Sequence, residues 1–175
     1  MSPESPAPSH PSFPQRPLDP GAEALIHALG LAPHPEGGWF RELYRSSARV
    51  AARGNDRSAV TTIYYLLERH QVSRWHTVES DEIWHFYAGA GLELLAYDPA
   101  SERLTNYRLG APSDARPVAV IPAGTWQAAR SLGAYSLVGC SVAPGFEFAD
   151  FRFVAARPDH ARHFAERLRG LESLL

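Results

Sequence analysis

Cysteine is nearly missing from this sequence: Cys140 is the only one among 175 residues. A lone cysteine excludes an internal disulfide and a zinc site built from cysteine pairs. Long apolar runs are missing too. None approaches the roughly 20 residues that a bilayer-spanning helix needs, so no membrane partner is expected. There is no surplus of either charge: 17 Lys and Arg stand against 19 Asp and Glu, a formal net charge of −2. That balance argues against a basic surface for nucleic acid. The opening "MSPESPAPSHPSFPQRPLDP" lacks the basic-then-apolar order of a secretory signal, and a cytoplasmic location is expected.

What the chain does have is ordinary globular composition, with 45% hydrophobic and 21% charged residues, and enough length for one substantial core. Seven of its 15 prolines fall in the first 20 residues. Residues 1–20 therefore read as a flexible tail, because proline removes backbone donors and little there can be buried. Residues 21–175 read as a single domain. Asp19 and Pro20 make a helix start, Leu25, Ile26 and Leu29 share one face, and Gly30 closes that helix. From Gly38 to about Phe153, some ten short apolar stretches follow one another with turn residues between them. They run from "GWFRELYRS" through "AVTTIYYLLE", "VSRWHTV" and "EIWHFYAG" to "YSLVGCSVA" and "FADFRFV". Short strands at that spacing predict an all-β sandwich or barrel. The end of the chain has Ala161, Phe164, Leu168, Leu171 and Leu175 at three- and four-residue spacing, which predicts a C-terminal helix covering a sheet face or edge.

One stretch is chemically unusual. "WHTVESDEIWHFYAG", residues 75–89, reads in its second half as a buried strand, yet it carries His76, His85, Glu79, Asp81 and Glu82. Charged groups inside an apolar sheet are costly unless something pairs with them or ligates them.

Here the sequence resembles the cupin superfamily. His76, Glu82 and Gly89 match the first cupin motif, with Val78 in the place of its second histidine. Pro122, Gly124 and Gln127 match the second motif, Pro-x-Gly-x-x-His, with glutamine in the histidine's place. A closer likeness is to an uncharacterised single-domain branch of RmlC-like cupins that carries "HPEGGWFRELYRS", "SDEIWHFYAG", "PAGTWQAA" and "VAPGFEFADF", all present here. The resemblance implies a double-stranded β-helix, the cupin jelly roll, and a homodimer. It implies little about the reaction, since this fold hosts many chemistries.

On regular strands His76 and Val78 share one face, and Glu82, Trp84 and Phe86 share another. The turn between the strands brings His76 beside Glu82, and Gln127 is expected to point into the same cavity. A metal reading makes His76, Glu82 and Gln127 ligands to a weakly held divalent ion. One imidazole, one carboxylate and one amide oxygen form a poor donor set for iron or zinc. A metal-free reading makes His76 and Glu82 a catalytic proton-transfer pair, with the carboxyl desolvated by its apolar neighbours. A third has the two satisfy each other in a core. Gln127, Trp84, Phe86, Glu36, Arg41 and Tyr64 are the candidate ligand-binding residues, Glu36 covering the pocket mouth from the "HPEGG" segment. His85 faces away from Glu82 unless a bulge intervenes, and Cys140 reads as a buried, inert thiol. The function expected is binding of a small polar or anionic molecule of sugar or nucleotide-sugar type. Isomerisation or epimerisation by proton transfer comes first, a divalent-metal-dependent enzyme second and a non-catalytic ligand-binding protein third.

Overall fold

Among the described residues one α-helix leads into the sheets, and its ends are set by local chemistry. The computed structural model describes residues 17–113, 115–154 and 174. The proline-rich residues before 17 and the expected C-terminal helix, Leu174 apart, lie outside them. Helix α1 (Pro20–Leu29) begins where the Asp19 carboxylate accepts hydrogen bonds from the amides of Gly21 and Ala22, with Pro20 in the first turn. It ends at Gly30, whose φ of 61° is the left-handed cap that glycine adopts without strain. Ala22 and Ile26 are its buried residues.

The strands are β1 (Ala32–Pro33), β2 (Trp39–Arg45), β3 (Arg49–Ala52), β4 (Asn55–Ser58), β5 (Thr61–Glu68), β6 (Val72–Thr77) and β7 (Asp81–Gly89). They continue as β8 (Leu92–Asp98), β9 (Arg103–Leu109), β10 (Val118–Ile121), β11 (Trp126–Ser131), β12 (Tyr135–Ala143) and β13 (Arg152–Phe153). Each apolar stretch read from the sequence holds one of them. The additions are β1 and the hairpin β3–β4, whose residues are too polar to show an apolar alternation. "FADFRFV" is mostly not strand: Phe148–Asp150 form a 3-10 turn ahead of the short β13.

Among the described residues two large antiparallel sheets result, in the orders β1-β2-β5-β12-β7-β10 and β13-β6-β11-β8-β9, with β3 and β4 a separate two-stranded sheet. Consecutive strands repeatedly cross from one sheet to the other, giving a jelly roll. The main core lies between the sheets. Tyr65, Trp84, Val138, Cys140 and Ile121 from the first meet Leu92, Leu94, Leu109 and Ala129 from the second. The outer face of the first sheet is partly covered by α1, with Ile26 packed on Leu66 and Leu137. The outer face of the second carries Trp75, Leu95, Tyr97 and Trp126 against Val154 and Leu174. Strands β5, β8, β11 and β12 are thus buried on both faces, which is why their sequences read as near-continuous apolar runs.

Two irregularities decide which side chains face inward. Strand β6 takes three steps from Ser73 to His76 where β11 takes two from Ala129 to Gln127. This bulge lets Trp75 face outward while His76 faces the interior. Strand β7 has its extra residue at Tyr87, between the pairs Phe86–Val138 and Ala88–Leu137. Upstream of it the alternation is regular, so Glu82, Trp84 and Phe86 share the inner face and His85 lies on the other.

Candidate functional site

The "HPEGG" segment, residues 34–38, is a tight turn at the barrel mouth. The His34 amide donates to the Gly38 carbonyl at 2.9 Å, and the Gly37 amide to the His34 carbonyl at 3.0 Å. Gly37 and Gly38 have φ of 112° and 73°, outside the range of most side chains. Space requires glycine as well: a Cβ at Gly37 would lie 2.2 Å from the Val72 carbonyl oxygen. The Tyr65 hydroxyl donates to the Gly37 carbonyl at 2.7 Å, and the Arg74 guanidinium to the Pro35 carbonyl at 2.7 Å. So held, the turn directs Glu36 inward, where it is 6% exposed.

Inside, Glu36 meets His76 and Glu82. His76 Nδ1 lies 2.7 Å from the Arg74 carbonyl, which can only accept, so that nitrogen carries the proton and Nε2 presents a lone pair. Glu36 Oε2 is 3.1 Å from His76 Nδ1, yet has no hydrogen-bond partner of its own. Its other oxygen is 3.6 Å from His34 Nδ1. The Glu36 amide donates to that same nitrogen at 3.3 Å, which fixes the proton of a neutral His34 on Nε2. On β7, Glu82 Oε2 accepts from Gln127 Nε2 at 2.5 Å, and Gln127 Oε1 accepts from the Trp84 indole at 3.0 Å. The Phe151 ring stacks on His76, centroids 5.1 Å apart and planes 24° apart.

These groups border a cavity of about 80 Å³. His34, Glu36, His76, Glu82 and Cys140 line it together with Ile63, Val78 and Val142. Phe40, Phe146, Phe148 and Phe151 complete an aromatic wall, and Glu42, Arg45 and Thr61 stand among them. The last three phenylalanines belong to the segment that follows β12, which closes over the barrel end. Arg45 holds that segment through the Phe146 carbonyl and the Glu147 carboxylate while also pairing with Glu42. Arg57 holds it through Asp150.

Burial governs the electrostatics. It pushes the carboxyls of Glu36 and Glu82 above the usual carboxylate range, against the pull of His34 on the first and His76 on the second. It pushes His34 and His76 below the usual imidazole value, against the pull of Glu36 and Glu82 respectively. The Cys140 thiol is pushed well up by the same cause. Each group is driven toward its uncharged form.

Glu36, His76 and Glu82 therefore come together, and Val78 lines the cavity beside them. Gln127 does not reach it: both ends of its amide are engaged in the layer behind, where it positions Glu82. Trp84 is buried in that layer as its partner, and Phe86 packs on the main core. Tyr64 is on the outer face, edge-on to Tyr87, because its neighbour Tyr65 takes the inward place. Arg41 is exposed and caps α1 by donating to the Leu29 carbonyl at 3.0 Å. Sequence reasoning missed His34, although it begins the "HPEGG" motif, and missed the closing phenylalanines. A run of aromatics with no strand alternation, "GFEFADF", was the available signal.

The metal reading meets a poor donor set. Among the described residues no three His, Cys, Asp or Glu side chains gather as ligands, and the Gln127 oxygen is already used by Trp84. The residues present do not fit such an ion.

Two antiparallel sheets enclosing imidazole and carboxyl groups at one barrel end define a jelly-roll protein of the cupin type. The Cupin_5 model, described as cupin superfamily (DUF985), matches residues 23–154, and the chain belongs to that family. A crystal structure of a Shewanella oneidensis protein is similar, with 32% identity and a TM-score of 0.72 over 85% of this chain and 95% of that one. A hypothetical protein from Leishmania major is similar at 33% identity, with a TM-score of 0.70 over 79% of this chain and 93% of that one. Oxalate decarboxylase from Bacillus subtilis shares the fold at 13% identity, with a TM-score of 0.54 over 82% of this chain and 36% of that one. No curated protein matches the chain.

Proposed function

We propose that this cupin binds the end of a small polar molecule in the Glu36–His76–Glu82 cavity and moves a proton on it, as an isomerase or epimerase does. The observation that carries the reading is the state of the pair on β6 and β7. His76 is anchored at Nδ1 with a free Nε2, and Glu82 is a buried carboxyl held by Gln127 with its basicity raised. A base of raised pKa next to a neutral imidazole is suited to take a proton and return it on another atom. The cavity is far smaller than the several hundred Å³ of a drug-sized site, so only a few heavy atoms enter and the rest of the ligand lies outside the phenylalanine wall. Sugars and nucleotide sugars are the first candidates. The protein works as a homodimer in the cytoplasm.

Incubation with candidate sugars in D₂O tests this. Carbon-bound deuterium should appear at one position with the native protein and not with Glu82→Gln. Ligands that bind in the cavity without exchange would make this a binding protein.

A further inference from the structure

The charges around the cavity identify the end of the ligand that enters it. Three carboxyl groups, Glu36, Glu42 and Glu82, line the space, and of these Glu42 is paired with Arg45. Glu36 is buried and its Oε2 makes no hydrogen bond of ordinary geometry, with the Tyr65 and Ser73 hydroxyls and His76 Nδ1 the protein donors around it, so it keeps capacity to accept from a ligand. Among the described lining residues the only guanidinium, Arg45, already spans Glu42 and Glu147, and His34 and His76 are held neutral. An anion entering here would meet Glu36 and Glu82, neither paired with a cation, and no free guanidinium. The remaining wall is aliphatic and aromatic, with four phenylalanine rings, and the faces of such rings attract cations.

We infer that the group entering the cavity is an alkylammonium head, which donates to Glu36 Oε2 and rests its alkyl part on Ile63, Val78 and the phenylalanine wall. This rests on the reading of the cavity as the ligand site and narrows the ligand to amines. It sets aside the anionic half of the polar or anionic ligand expected from the sequence. Glu36 anchors the cation, which leaves Glu82 and His76 for the proton. An organic ammonium fits better than a metal ion because it needs one acceptor and an apolar wall, whereas among the described residues no three His, Cys, Asp or Glu side chains converge as an ion requires.

The test compares three probes of matched size by calorimetry on the full chain: butylammonium, 1-butanol and butyrate. Butylammonium should bind at least tenfold tighter than the other two. Glu36→Gln should abolish that preference while 1-butanol binding stays the same. Should Glu36→Gln fold poorly, Glu82→Gln serves in its place, with a partial loss expected. Val78→Phe fills the cavity and should block every probe, with Val142→Phe as the alternative if the first variant melts early. Butyrate or butanol binding as tightly as butylammonium, and blocked by Val78→Phe, would overturn the ammonium assignment and leave the site standing. Probes that bind regardless of Val78→Phe, or none that bind at all, would overturn both. Zinc or manganese alone displacing butylammonium at comparable concentration would also overturn the assignment in favour of a metal.

Discussion

Glu82 is where packing and chemistry make opposite demands. As a buried carboxyl it weakens the folded state when ionised, and as a base it must ionise. Glu36 and Glu82 hold protons more tightly folded than unfolded. Their stabilising contribution is therefore complete below the ordinary 4.5 and is lost as pH rises through the raised folded values. His34 and His76 run the other way. Their contribution is complete above the ordinary 6.5 and is lost as pH falls through the lowered folded values. Glu82→Gln keeps the shape and the Gln127 contact but removes the ionisation. Its melting temperature should exceed that of the native chain, and the gap should widen as pH rises from about 4.5 to about 8. Deuterium exchange on the substrate should fall by about 10²–10⁴-fold in the same variant. A lower melting temperature at neutral pH with exchange retained would instead mark Glu82 as the anionic half of a structural pair. Val78 bears on the metal question. It lines the cavity beside His76 and Glu82, so Val78→His would add a second imidazole to one imidazole and one carboxylate. Zinc affinity by calorimetry should then rise by roughly tenfold or more, about 1.4 kcal/mol. Equal, weak binding in both chains would mean that the cavity has lost the shape of a metal site. The placing of His76 beside Glu82 was legible from motif spacing and strand alternation, and Glu36 at the pocket mouth from the glycines of "HPEGG". His34, the closing phenylalanines and the retreat of Gln127 were not, because they depend on how a loop folds back and on which neighbour claims an amide.

At the scale of elements, the site depends on a turn and a closing segment rather than on the strands alone. Gly37 is the sharpest test of the turn. Gly37→Ala would force a Cβ against the Val72 carbonyl at a φ of 112°. The strain should cost on the order of 1–3 kcal/mol. Because the turn aims Glu36, ligand binding should weaken beyond the loss of folded protein. Denaturant melts and calorimetry on one preparation separate the two effects; binding unchanged per folded molecule would show that Glu36 is aimed by something else. The strands themselves were readable because β5, β8, β11 and β12 are buried on both faces and β7 alternates cleanly before Tyr87. The β3–β4 hairpin was not, since Arg49, Asn55, Asp56 and Arg57 give it no apolar face. Nor was the bulge in β6, because alternation is counted one residue at a time and an extra residue inverts everything after it. The bulge leaves Trp75 on the outer cluster and His76 in the cavity.

At the scale of the molecule, one sheet face is left partly bare. Helix α1 covers the outer side of the first sheet around Leu66 and Leu137 but does not extend across it. Strand β10 ends that sheet, with Val118 and Val120 42% and 49% exposed, and Tyr87 on neighbouring β7 is 50% exposed. Exposed edge strands normally carry charge or are covered, and β10 itself carries no charged residue. A second copy of the chain is the expected cover. A two-fold pairing makes each subunit's apolar strip the partner of the other's and covers the β10 edge of both. Sedimentation should therefore give twice the 19.3 kDa of the chain. Val120→Lys sets two like charges near that axis and points away from the cavity, so it should shift the mass toward the monomer while the ligand cavity keeps its affinity. A monomer of 19.3 kDa that persists as concentration rises would leave the strip to another partner. A dimer unmoved by Val120→Lys would put the interface elsewhere, with the other exposed apolar residues of the first sheet, Leu43 and Tyr44 on β2, the next to test.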